Sequence, residues 1–403
     1  MATSSIGFTL RPRSFESAGS LSASLRVFVF TALLALSFVP IPIGINLSQI
    51  LVLALCVATL CCYLVHFEVD IFAAIFLILL IGISQAIGLA HSPVVEKNYL
   101  TPFIFLTSLS IAPAIVILAK SCTPSKIRLL VPRIVNWILV FLVIECISRF
   151  IFSPYLPLGL DADNSDTFYL YKSSLFFVDS NFVGIEIICL LAVMFAFRDC
   201  FTRNKWFLAY LLLITTLSRA SIGAAICQIV VYKLWRWRAW VALGMLAAQV
   251  LIVIKLFVTF TSQGSEGIQG IDGSLSSKFF ILSLMADTYV GADTAQKLFG
   301  IGVSNLFNLA GIFAHNIVAT CVLELGIVGT LLIAVYVWVL SRRHPAAVFL
   351  LILPVLINGF SLVSTSMPYF FAALGLLTAL HGTRRNGDSA ASDETGLQEI
   401  KKG

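Results

Sequence analysis

The chain reads as an all-α, polytopic membrane protein of about twelve helices. Two observations predict this. Of 403 residues, 59% are apolar and only 11% are charged, against roughly 45–50% and 25% in soluble domains. The mean hydropathy is +0.99, and the apolar residues fall in long continuous runs, each near the ~20 residues a spanning helix needs. This composition excludes a soluble enzyme, a nucleic-acid-binding module and a disulfide scaffold. A porin-type barrel is excluded because its strands would alternate with period two.

The N-terminal stretch 1–25 is Ser-rich and holds Arg11, Arg13 and Glu16. No short apolar core with a small-residue cleavage site follows, so it reads as a cytoplasmic tail. The integral membrane domain then covers 26–382. Its spans are expected at 27–44, 47–66, 71–90, 102–119, 129–152, 181–198, 206–218, 219–235, 239–260, 315–340, 345–363 and 368–382. Residues 383–403 are polar and read as a second cytoplasmic tail.

Lys and Arg set the orientation. Arg26, Lys120, Lys126, Arg128, Arg198, Arg203, Lys205, Lys233, Arg236, Arg238, Arg342, Arg343, Arg384 and Arg385 collect on one side, which is therefore cytoplasmic. Both long loops, 153–180 and 261–314, fall on the other side. Connections of that length carry function or are disordered, so any chemistry faces outward.

Residues 206–235 are too few for two full spans, yet both flanks, Lys205 and Lys233, are basic. The positive-inside rule favours a hairpin that returns to the cytoplasm. Its arms fall short of the ~30 Å hydrocarbon core. The apex, Leu217-Ser218-Arg219-Ala220-Ser221, is expected below the outer surface. An arginine there requires a water-filled cavity or a fixed anion. Its planar fork matches phosphate oxygens, although pairing with Glu186 or Glu324 explains it equally simply.

His315 closes the second long loop and opens the tenth span. A histidine titrates near pH 6.5 and can act as a base, or simply cap the helix. Glu324 lies nine residues deeper and needs a partner or a proton. Gly326 and Gly329 follow at a spacing that suits close helix packing. Arg149 stands one turn after Glu145, an i,i+4 pair. Lys172 and Lys278 lie in the two long loops; with Arg149 and Arg219 they could form a cationic funnel. Asp179 or Ser180 can cap the sixth span, while Asn181 could bond a sugar hydroxyl or orient His315. The run Asp161–Asp166 suggests a cation loop but lacks the glycine and distal glutamate of an EF-hand. No P-loop, dinucleotide fingerprint or HExxH motif is present, and neither metal nor cofactor is expected.

Four segments occur in a telling order: FFVDSNFVGIEI at 176–187, TLSRASIGA at 216–224, KLFGIGVSNLF at 297–307 and HNIVATCVLELGIVG at 315–329. With the span count and the long loop before the histidine, they make the chain resemble the bacterial O-antigen polymerase and O-antigen ligase superfamily. The resemblance covers roughly the C-terminal 60% of the chain.

It implies a membrane-embedded glycosyltransferase of GT-C architecture, in the bacterial inner membrane, acting at the periplasmic face. The donor would be an undecaprenyl-pyrophosphate-linked oligosaccharide, used without nucleotide sugar or metal. Arg219 would bind the pyrophosphate and His315 would serve the acceptor hydroxyl. Ser218 and Asn316, beside them in the motifs, join Arg149, Lys172, Asp179, Asn181, Lys278 and Glu324 as the substrate-binding set. The family often has an arginine where this chain has Lys278, which lacks the bidentate fork.

The Asp-Ser-Asn form at the sixth span favours polymerase over ligase. A chain-length regulator and a flippase are candidate partners. A flippase or secondary transporter is the competing class, since twelve spans suit it. The unequal loops, however, do not suggest two similar halves.

Overall fold

The computed structural model describes residues 23–40, 46–62, 69–120, 122–152, 171–269, 273–311, 316–359 and 367–380. The described chain is helical apart from one two-stranded hairpin. The helices are α1 (Ala23–Ser37), α2 (Leu47–Cys62), α3 (Val69–His91), α4 (Leu100–Lys120) and α5 (Pro124–Phe152). The hairpin pairs β1 (Ser173–Ser174) with β2 (Val178–Asp179) in antiparallel register, Ser173 opposite Asp179. Then come α6 (Ser180–Ala196), α7 (Arg203–Thr215), α8 (Arg219–Lys233) and α9 (Arg238–Gln269). The remainder is α10 (Gly273–Gly291), α11 (Thr294–Phe299), α12 (Leu306–Ala310), α13 (Ile317–Ser341), α14 (Ala347–Asn358) and α15 (Pro368–Leu380).

Helix therefore occupies part of every one of the twelve expected spans. Among the described residues, four helices are long and apolar enough to cross a membrane: Val69–His91, Leu100–Ala119, Pro124–Phe152 and Ile317–Ser341. Five apolar helices are shorter: Ser24–Ser37, Ser180–Ala196, Phe280–Gly291, Ala347–Asn358 and Pro368–Leu380. By length and apolar composition these are the helices of a membrane protein, in which each helix satisfies its own backbone groups.

The stretch 261–314, expected as a long outer loop, is largely helical where it is described. Helix α9 runs on to Gln269, and α10, α11 and α12 fill most of the stretch from Gly273 to Ala310. Ile281 and Met285, one turn apart on α10, are buried against Ile301, Leu306 and Leu323. This small second core stabilises helix where scattered polar residues suggest loop.

Helix α6 is the axis of the main core. Every residue from Val183 to Met194 is buried, as expected of a helix that is apolar all round. Gln228 on α8 ties it to its neighbours, its Nε2 donating to the carbonyls of Ile188 (2.9 Å) and Leu350 (2.6 Å). Tyr336 on α13 donates to the carbonyl of Leu109 on α4 at 2.5 Å.

The bundle has a basic end and an apex end. At the basic end Asp70, opening α3, pairs with Arg342 (2.5 Å) and Arg343 (3.2 Å), just past α13. Helices α3 and α13 are thus antiparallel. Arg198, following α6, bonds the hydroxyl of Tyr232 near the end of α8. Arg238 lies over the rings of Trp235 and Phe349. These arginines belong to the set from which the cytoplasmic side was read. The opposite ends of α5, α6, α7, α8, α13 and α14 meet around the α7–α8 turn.

Candidate functional site

The α7–α8 hairpin forms as its basic flanks require, with arms of about 20 Å each at 1.5 Å per residue. Thr216, Leu217 and Ser218 make the turn. Leu217 has φ 55°, a left-handed conformation that costs a non-glycine residue about 1–2 kcal/mol. Packing on three sides offsets that cost.

From α5, Arg149 Nη1 donates to the Thr215 carbonyl at 2.7 Å, and Nη2 lies 3.5 Å from Thr215 Oγ1. From α6, Ser180 Oγ donates to the Thr216 carbonyl at 2.8 Å. From α14, Asn358 Oδ1 accepts from Ser221 Oγ at 3.4 Å. Ser218 caps α8: its Oγ accepts from the Ser221 N–H at 3.3 Å and lies 2.9 Å from Ser221 Oγ. Gly184 lets α6 approach this turn, since a Cβ there would overlap the Ser221 side chain.

Arg219 is the first residue of α8 and is exposed, whereas Thr216, Ser218 and Ser221 beneath it are buried. The turn therefore presents a guanidinium at a helix N-terminus, where the macrodipole also favours anions. Pairing with Glu186 does not account for Arg219. Glu186 is fully buried and neither carboxyl oxygen has a hydrogen-bond partner among the described residues.

Arg149 is placed differently from the expected funnel. It is 1% exposed and its Nε lies 3.3 Å from Glu145 Oε1. The same Glu145 oxygen accepts from Ser174 Oγ at 2.8 Å. The β-hairpin lays Ser174 onto Glu145, Glu145 holds Arg149, and Arg149 holds the end of α7. The i,i+4 pair is real, and its guanidinium is spent on protein groups.

Asp179 caps α6, its Oδ1 accepting the Asn181 N–H at 2.7 Å. The Lys172 carbonyl accepts the Ser180 N–H at 2.8 Å. Asn181 is half-buried beside them. Asn316 caps α13, accepting from the N–H groups of Val318 (2.9 Å) and Ala319 (3.1 Å). The Ile317 N–H donates to the Gly359 carbonyl at 2.7 Å. That contact brings the start of α13 beside Asn358, and so beside the hairpin turn.

Glu324 is not part of this cluster. It is 5% exposed and lies beside the turn after α11, where the Gly302 N–H donates to the Glu324 carbonyl at 3.0 Å. His315 and the Asp161–Asp166 run lie outside the described residues. Lys278 falls on α10, but its side chain is also outside them. Among the described residues no three His, Cys, Asp or Glu side chains gather as a metal site.

The sequence reading missed Thr215, Asn358 and Gln85, all of which organise this end of the molecule. Asn358 and Gln85 had a usable signal, because each is a lone amide inside an apolar run, where a polar group needs a partner. No protein-family model matches the chain, and no curated protein matches it.

Proposed function

We propose that the chain is a polysaccharide polymerase of the inner membrane. It transfers an undecaprenyl-pyrophosphate-linked glycan onto the non-reducing-end hydroxyl of a second lipid-linked repeat unit at the periplasmic face. The observation that carries this reading is the exposed Arg219, seated on a strained turn whose buried side is tied to α5, α6 and α14. A cation at a helix N-terminus, on a turn anchored to three neighbouring helices, suits a pyrophosphate, whose charge grows as the glycosyl bond breaks.

In this scheme the donor pyrophosphate lies against Arg219. His315 orients or deprotonates the acceptor hydroxyl, which attacks the anomeric carbon, and undecaprenyl pyrophosphate leaves. Arg149 serves the site at one remove, by fixing the end of α7. Asn181, Lys172 and Asn316 sit near the turn as candidates for glycan hydroxyls.

Extension by the purified protein of lipid-linked repeat units extracted from cells deleted for this chain tests the reading. Long polymer is the expected product. Transfer only to lipid A core would make the chain a ligase. A deletion strain whose repeat units stay on the cytoplasmic face would make it a flippase.

A further inference from the structure

Between Asp199 and Glu266 the chain has seven Lys and Arg residues and no Asp or Glu. All but Arg219 and Lys255 flank the α6–α7 and α8–α9 connections, at the basic end of the bundle. Over Lys233–Trp240, KLWRWRAW, three cations alternate with three tryptophans.

The fold sorts these into two sets. Trp235 and Arg238 turn inward. Arg238 Nη1 donates to the Trp235 carbonyl at 3.1 Å, and its Cζ stands 4.9 Å from the Trp235 ring centroid and 5.6 Å from that of Phe349 on α14. The Trp235 and Phe349 rings meet edge to face with centroids 6.4 Å apart. The short 3₁₀ turn Trp235–Trp237 is thereby fastened to the bundle. Lys233, Arg236, Trp237 and Trp240 are left outside. The two tryptophans are 58% and 70% exposed. The two cations are exposed, and among the described residues their side chains make no ion pair or hydrogen bond.

The neighbouring connection brings no spare counter-charge. Arg198 donates to the Tyr232 hydroxyl, and the Phe195 ring packs against both Tyr232 (4.7 Å) and Trp206 (4.8 Å). The α6–α7 connection therefore lies against the end of α8. Its one acid, Asp199, already faces Arg198 at 3.2 Å. Exposed tryptophans at the end of an apolar helix mark headgroup level in a membrane. Beyond Trp240, α9 exposes Leu243, Leu251 and Ile254, a face that suits acyl chains.

We propose that Lys233 and Arg236, flanked by Trp237 and Trp240, bind the phosphate of an anionic phospholipid in the leaflet at the basic end, with its acyl chains along α9. Arg236 offers a fork of N–H donors to the phosphodiester, and Lys233 offers a point charge. A zwitterionic headgroup is disfavoured because its own ammonium is repelled by both cations. The site is separate from the proposed polymerase chemistry, since Arg219 stands at the opposite end of α8.

The test uses full-length protein reconstituted in phosphatidylcholine bilayers, with tryptophan quenching by brominated phosphatidylglycerol or brominated phosphatidylcholine as the readout. Wild type should prefer phosphatidylglycerol by about tenfold, in keeping with two cations at a membrane surface, and the preference should shrink between about 0.05 M and about 0.5 M salt. Lys233→Gln combined with Arg236→Gln should bring the ratio close to one. Lys126→Gln combined with Arg128→Gln removes the same charge from exposed positions at the start of α5, at the same end. That pair should stay within about twofold of wild type, because screening confines an exposed charge to its neighbourhood.

No preference in wild type, or an unchanged preference without Lys233 and Arg236, would overturn the proposal. Equal losses in the two double variants would also overturn it, by making the preference a diffuse surface effect. Free glycerol phosphate that abolishes the preference at the lipid's own concentration would make this a site for a soluble phosphate instead. If the double variant does not accumulate, Arg236→Gln alone decides, with an expected loss of about fivefold.

Discussion

Arg149 Nη1 donates to the carbonyl oxygen of Thr215 at 2.7 Å, joining the end of α5 to the end of α7 across 66 residues of sequence. The guanidinium also faces Glu145 at 3.3 Å, and both side chains are almost wholly buried. A fixed charge inside the bundle thus holds the turn on which Arg219 stands. The two arginines differ in burial: Arg149 lies inside the bundle, and Arg219 is exposed at the turn.

Removing one member of that pair should be costly. Arg149→Ala leaves Glu145 buried without its counter-charge and frees the Thr215 carbonyl, a loss of ~3–5 kcal/mol for a broken buried pair. Thermal unfolding in detergent measures it. Replacing both with Glu145→Met and Arg149→Met should recover about half of the loss. A single variant as stable as wild type would deny Arg149 its structural role.

Arg219 should behave in the opposite way. It is exposed, so Arg219→Ala should change stability by less than about 0.5 kcal/mol and leave the amount of membrane-inserted protein unchanged. On the proposed polymerase reading, polymer formation should fall by about 10²–10³-fold, the usual cost of losing a donor to a developing anion. Arg219→Lys should fall in between, because the ammonium keeps the charge but not the fork. Polymer length and rate from purified protein decide this.

The contrast between these arginines marks how far the sequence could be read. The hairpin was legible because charge asymmetry and short arms leave one solution: α8 starts at Arg219 as expected, and α7 ends at Thr215, three residues before the expected end. The cap at Asp179 was legible too, since it carries its signal locally, whereas the cap of α13 falls on Asn316, which the sequence suggested only for substrate contact. What escaped depends on partners distant in the chain. Thr215 gains meaning only from Arg149, and α10 is helical because Ile281 and Met285 find Ile301, Leu306 and Leu323. The break at Gly326 lies inside a single expected span, and it forms where the turn after α11 supplies donors to the Leu323 and Glu324 carbonyls.

Gly326 should therefore tolerate no side chain. Its φ of 70° disfavours any L-residue, and an added Cβ would meet the Leu298 carbonyl and the Gly300 nitrogen. Strain of about 1–3 kcal/mol for the backbone adds to a similar cost for overpacking. Gly326→Ala should lower the unfolding midpoint clearly and speed amide exchange over 300–311. The nearby Gly311, also at positive φ but with open space where a Cβ would stand, should cost less when changed to Ala. Equal effects at the two positions would mean that the close backbone approach contributes nothing.

Asp179 and Asn316 supply the last test, because each stands in a motif that suggests substrate contact, yet each caps a helix. A cap to Ala costs about 1 kcal/mol, and Asp, Asn and Ser substitute for one another at such positions. Asp179→Asn and Asn316→Asp should then keep both stability and polymer formation near wild type, while the two alanine variants lose stability first. If the residues instead bond glycan hydroxyls, exchanging carboxylate for amide removes or adds a donor, and KM for the lipid-linked repeat unit should rise with stability unchanged. Asn316→Asp is the more telling of the two. A new negative charge next to His315 would hinder an approaching pyrophosphate, so a rise in KM at Asn316 with none at Asp179 would place the donor phosphates on the α13 side of the turn. Unchanged kinetics at both would leave the phosphates to Arg219.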